Sequence, residues 1–262
     1  MRGIQAALWI EILKIRRTKV FAISIYFFIF IGVMMGLLMF LSMHPEIANR
    51  SATISAKTSF LGGSDWAAFF ELLLQIILTV GVIGSGVVTS WGFGREFSDR
   101  VVKDLLALPV SRSTIVISKL ITLFIWSIIL SITLLIAAIL TGLIVKIPDW
   151  SEGALFPFLS TYFICAILNA LLITPVAFVS SIGRGYMLPI SFVILLLILT
   201  QLIFVGLPAL SFYFPWAIPA LYSGVAGDAV PPPGFISYLI YGLTIIIGLV
   251  GTISWWRYAD HK

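Results

Sequence analysis

Charge is what this sequence is poorest in. Only 10% of its 262 residues are charged and 60% are hydrophobic, and the mean hydropathy is +1.13. Soluble domains carry about 25% charged and about 45–50% apolar residues. So much apolar surface cannot fit inside one core, which excludes a water-soluble globule and makes lipid the solvent for most of the chain. Cysteine is nearly missing too. The single Cys165 excludes an intrachain disulfide, and with only His44 and His261 at segment ends it leaves no Cys/His metal cluster. No Gly-x-x-x-x-Gly-Lys-Ser/Thr loop is present to cradle nucleotide phosphates. No histidine lies in an apolar run to activate Ser85, and Glu96, Asp99 and Asp104 alternate with Arg and Lys instead of pairing around a metal. An enzyme is not expected, and no bound cofactor or metal. The excess of 16 Lys+Arg over 11 Asp+Glu reads as membrane orientation and anionic-lipid contact, not nucleic-acid binding.

What is present is a series of long apolar runs. A spanning helix needs about 20 mostly apolar residues, and six stretches meet that length: 20–41, 67–90, 118–142, 156–179, 187–206 and 236–256. The first is too long for a cleavable signal and is read as a retained helix. The basic residues take one side. Arg2, Lys14, Arg16, Arg17 and Lys19 precede the first run, and Arg95, Arg100, Lys103, Arg112 and Lys119 lie between or beside the second and third. Arg184 follows the fourth, and Arg257 and Lys262 follow the sixth. Only Arg50, Lys57 and Lys146 fall on the other side. Short cytoplasmic loops are enriched in Lys and Arg, so the expectation is an all-α multi-pass membrane protein with both termini cytoplasmic and residues 257–262 as a tail.

Three connecting stretches are unusual. Residues 1–19 put Ile4, Leu8, Ile12 and Ile15 on one stripe with Trp9 beside it, which predicts an amphipathic helix lying along the inner leaflet; a basic tail is the alternative. Between the second and third runs, Val101, Val102, Leu105, Leu106 and Leu108 share one arc of a helical wheel and Asp99, Arg100, Lys103 and Asp104 the other. Ser98 or Asp99 can cap that helix and Pro109 ends it. It either rests on the leaflet or inserts its ridge into a groove of another protein. Residues 207–235 carry no Lys or Arg, yet Phe214-Pro215-Trp216-Ala217-Ile218-Pro219 is too apolar for an exposed loop. This predicts a re-entrant segment buried against protein, or else an interfacial aromatic belt.

Polar residues inside the runs are few: Glu71 and Gln75, which share a face at i, i+4, then Asn169 and Gln201. An ionisable group within a span is a functional candidate by default, though Glu71 lies close enough to the run's start to be hydrated. Asn169 and Gln201 suit interhelical hydrogen bonding.

Arg95-Glu96, followed by Leu105-Leu106-Ala107-Leu108-Pro109-Val110-Ser111-Arg112 and then Lys119, resembles the cytoplasmic segment of ABC-2-type permeases, the membrane subunits of ABC exporters. Phe97-Ser98-Asp99-Arg100 and the Phe214 to Pro219 run are similar to the bacitracin-type resistance permeases. Val101-Val102 departs from the Gly-Thr pair usual before the Leu-Leu block. The resemblance implies that 96–108 is a coupling helix on which a separate ABC ATPase, itself holding ATP and Mg, docks through Glu96, Arg100, Val101, Lys103, Asp104, Leu105 and Leu108. It also implies a second permease copy, identical or a sister chain, with a pathway at the interface of the pair. Glu71, Gln75, Asn169, Gln201, Pro215, Trp216 and Pro219 are the candidates to line or gate it. The family's setting is the prokaryotic plasma membrane and its direction export, here of an amphipathic or hydrophobic compound. An ion-coupled secondary transporter, or a scaffold subunit that transports nothing, stands as the alternative.

Overall fold

The computed structural model describes residues 2–48, 63–99, 111–227 and 230–258. Among them every regular element is helical: α1 (Arg2–Arg16), α2 (Lys19–Met43), α3 (Pro45–Ala48), α4 (Trp66–Ser98), α5 (Arg112–Val145), α6 (Glu152–Leu171), α7 (Ile173–Gly183), α8 (Met187–Gly206), α9 (Ile218–Ser223) and α10 (Phe235–Tyr258). Six stretches are long and apolar enough to cross a membrane: α2, α4, α5, α6 with α7, α8 and α10. Each contains one of the six apolar runs.

α4 and α5 outgrow their runs most. α4 and α5 have 33 and 34 residues, about 50 Å at about 1.5 Å per residue, against about 30 Å of hydrocarbon. α4 continues past residue 90 because its extra turns still have an apolar partner: the Phe93 and Phe97 rings stand edge-on to Trp256 of α10 at 6.1 and 5.8 Å. The amphipathic helix expected to run from there to Pro109 lies outside the described residues. Ser98 closes α4 and Asp99 caps its end, its N–H donating to the Arg95 carbonyl at 2.8 Å. α5 starts at Arg112, with Ser111 Oγ accepting from the Thr114 N–H as N-cap.

α2 lies along α5 at close range. Gly32 and Gly36 face Ala137, Ala138 and Thr141, and a Cβ on Gly32 would stand 2.7 Å from that of Ala137. Small residues let membrane helices approach this closely. The other spans are tied by side chains reaching backbone carbonyls: Tyr162 Oη to Ser131 at 2.7 Å, Tyr241 Oη to Leu168 at 2.6 Å, and Thr174 Oγ1 to Ile245 at 3.1 Å. The fourth run is broken at Leu172, where Pro175 has no N–H for the Leu171 carbonyl one turn back.

α1 is a helix, as expected, and it turns one side to the bundle. Ala7, Glu11 and Ile15 are buried against α5, whereas Ile4 and Trp9 are exposed. The buried ammonium of Lys119 on α5 draws Glu11 inward and so sets the rotation of α1. The connection after α8 folds back onto the bundle as two 3-10 turns, Pro208–Tyr213 and Pro215–Ala217, followed by α9. Ala217, Ile218, Pro219 and Leu221 are buried, and the Cys165 thiol of α6 donates to the Pro219 carbonyl at 3.5 Å. Cys165 lies 13 residues into α6, about 20 Å from its start.

Candidate functional site: a buried ion knot and a polar cavity

Polar side chains gather in two places. The first is at the shared end of α1, α4 and α5. Lys119 Nζ donates to Glu96 Oε1 at 2.6 Å and to Glu11 Oε2 at 3.0 Å, with its side chain only 3% exposed. Lys14 Nζ donates to Glu11 Oε1 at 2.7 Å and to Glu96 Oε1 at 3.2 Å. The ring of Phe93 faces the Lys119 ammonium at 5.7 Å. Two carboxylates and two ammoniums make the group neutral, the condition for charges to be buried together. Burial alone would raise the Glu11 carboxyl, but Lys119 and Lys14 outweigh it and hold it below the usual carboxylate range.

Beside the knot, Arg112 Nη1 donates to the carbonyls of Trp256 and Arg257 at 3.2 and 3.0 Å. A cation is well placed against the last carbonyls of a helix, so the start of α5 is fastened to the end of α10. Trp256 Nε1 donates to Ser181 Oγ of α7 at 3.0 Å, which brings a fourth span to the same corner.

Of the residues assigned to ATPase docking, Arg100, Val101, Lys103, Asp104, Leu105 and Leu108 lie outside the described residues. Glu96 is described. It is 4% exposed and turned into the knot, because Lys119 offers a buried carboxylate a stronger partner than water does. It anchors the base of the segment it was expected to lead. The sequence reading missed Glu11 and Lys14 altogether. The available signal was Glu11 itself, a lone acid in a basic, apolar helix.

The second gathering is in the spans. Glu71, Gln75 and Thr79 follow one another at four-residue intervals along α4; Glu71 and Gln75 are exposed and Thr79 is half-buried. Gln75 and Thr79 line a cavity of about 460 Å³ together with Gln201 and Phe204 of α8, Ala220 of α9, and Val225 and Ala226. The structure thus brings Gln75 and Gln201, 126 positions apart in sequence, to one cavity. Asn169 is elsewhere: its Nδ2 donates to the Ile77 carbonyl at 3.0 Å, fastening α6 to the buried side of α4. Trp216 stands perpendicular to Phe192 of α8 at 5.9 Å. Pro219 is buried against α6, and Pro215 opens the second 3-10 turn.

Comparison with known proteins agrees with this architecture. The model of the ABC-2 family transporter proteins matches residues 7–214, which run from α1 to the first 3-10 turns. The bacitracin transport permease protein BCRB of Bacillus licheniformis is 31% identical over 193 residues, covering 73% of this chain and 91% of that protein. With six apolar helices of spanning length and a family match over most of its length, the chain belongs to the ABC-2 family of transporter proteins.

Proposed function

We propose that this chain is the membrane-spanning half of an ABC exporter, driven by a separate ATPase that binds ATP and Mg and docks on the connection between α4 and α5. Two copies, or this chain with a sister permease, would enclose a pathway between them in a prokaryotic plasma membrane. Both termini are assigned to the cytoplasm. Support for this orientation is the run of basic residues at one end of the bundle, where Lys14, Arg95, Arg112, Lys119 and Arg257 gather. α1, with Trp9 and Ile10 exposed, would lie along that leaflet, and the Pro208 to Ser223 segment would re-enter from the opposite side.

The observation that carries the reading is the cavity between α4 and α8. Carboxamides facing outward from spanning helices are unfavourable against lipid and favourable in a wet passage. Gln75, Thr79 and Gln201, with Glu71 one turn before Gln75, offer hydrogen bonds and one negative charge among apolar walls. Such a lining suits an amphipathic cargo, and bacitracin is the compound in the name of the relative from Bacillus licheniformis.

The test is to tag the chain, extract it from native membranes in mild detergent and identify what copurifies. A stoichiometric P-loop ATPase is expected, lost when Leu105 and Leu106 are both replaced by Asp while membrane insertion is kept. A chain recovered alone in several detergents would overturn the reading.

A further inference from the structure

The four charges at the end of α1, α4 and α5 are connected unevenly. Two contacts are short and lie within one body each: Lys14 to Glu11 at 2.7 Å, both on α1, and Lys119 to Glu96 at 2.6 Å, joining α5 to α4. The two contacts that cross from α1 to the bundle are longer, Lys119 to Glu11 at 3.0 Å and Lys14 to Glu96 at 3.2 Å. Both halves are neutral by themselves. Lifting α1 away therefore leaves Glu11 with Lys14 and Glu96 with Lys119, and no charge is stranded in a buried site. Stranding a charge is what makes most buried ion networks costly to open.

The apolar attachment of α1 is modest, with Leu8, Ile12 and Leu13 only half-buried. Ala7 and Ile15 are its buried hydrophobic residues among those described, and Thr18 and Lys19 then begin α2. Glu96 Oε1 accepts from both lysines while its buried Oε2 has no hydrogen-bond partner among the described residues. A carboxylate with one oxygen doubly used and the other idle can keep Lys119 and release Lys14 without losing its last partner.

We propose that Glu11 and Lys14 are positioning residues that make α1 a separable strap across the ends of α4 and α5, docked by the two crossing contacts and released as a neutral pair. This rests on the exporter reading for its purpose: the ends it holds flank the connection on which the ATPase would act, so docking and release of α1 would follow the transport cycle. The arrangement of charges is independent of that reading.

The experiment compares E11Q/K14Q with K119M in the full-length protein in lipid nanodiscs, reading melting temperature and amide hydrogen exchange of residues 4–15. The double variant keeps the Glu96–Lys119 pair. It is expected to melt within about 2 °C of the parent while α1 exchanges at least about tenfold faster, as a locally opened element does. K119M leaves two carboxylates facing one half-exposed lysine and is expected to melt at least about 5 °C lower. If E11Q/K14Q melts as low as K119M, or if its α1 exchanges at the parent's rate, the strap is overturned. A third measurement repeats the exchange on the permease with its copurified ATPase, with and without ATP. Nucleotide is expected to change α1 exchange severalfold, and an unchanged rate would overturn the link to the cycle. Absence of any copurifying ATPase would sink the exporter reading and leave the separability result standing.

Discussion

The hydroxyl of Thr141 reaches the carbonyl of Gly32 at 3.1 Å, across the seam where α2 lies against α5, sharing its one proton with the Ala137 and Ala138 carbonyls of its own helix at 2.8 and 2.9 Å. The contact exists because Gly32 brings no side chain: a Cβ there would stand 2.7 Å from Ala137 Cβ and 2.9 Å from the Ala138 backbone nitrogen. One of those neighbours is backbone and cannot step aside. G32V is expected to push α2 off α5 and cost about 1–3 kcal/mol, read as a lower melting temperature in nanodiscs. T141V removes only the hydrogen bond and is expected to cost about 0.6 kcal/mol. Equal effects for the two would show that close packing does not hold this seam.

Arg112 supplies a second test, since its guanidinium closes the end of α10 by reaching the Trp256 and Arg257 carbonyls. R112Q is expected to lose about 1–2 kcal/mol of local stability. Amide exchange should accelerate at residues 253–258 and at the first turn of α5 while the middle of α10 stays protected. Acceleration along the whole of α10 would contradict a capping role.

The depressed carboxyl of Glu11 fixes a pH dependence. A carboxylate whose folded value lies below its unfolded value, about 4.3 for Glu, contributes stability that is fully present above the unfolded value and lost as pH falls through the folded one. Docking of α1 should therefore be constant from pH 7 to about 5 and fail only below about 4. Spin labels at positions 9 and 184, with C165A to remove the native thiol, would report the separation by dipolar spectroscopy. Release already complete at pH 6 would refute the assignment to Glu11.

The cavity predicts a labelling pattern. With cysteines placed singly, Q75C, T79C and Q201C should react with a membrane-impermeant thiol reagent, whereas L73C and I77C, on the wholly buried side of α4, should not. Reaction at 77 as fast as at 75 would mean that water reaches α4 without regard to face.

How much of this was legible in the residues differs from place to place. The six spans were, because an uncharged run of about 20 residues has few alternatives in lipid. Their ends were less so: the α4 run loses its apolar character after residue 90, yet the helix goes on to Ser98 because Phe93 and Phe97 find Trp256, 150 positions or more away in sequence. The side of α1 that meets the bundle was hidden for a related reason: a helical wheel ranks apolar positions, whereas Glu11 turns inward because a buried lysine on another helix meets it. The partners of Glu96 are equally hidden from a local reading, since Lys14 and Lys119 stand 82 and 23 positions away.

The amino-acid sequence by itself determined the solvent, the number of crossings, the uneven distribution of basic residues and the family motif from Arg95 to Lys119, since each depends on local composition or spacing. Only the tertiary structure decided which polar residues meet. It separated Asn169, spent on the Ile77 carbonyl, from Gln75 and Gln201, which share a cavity. It also joined Glu11, Lys14, Glu96 and Lys119 into one neutral group. A charge is buried or exposed according to its partner, and partners this distant in sequence are found only when the helices pack.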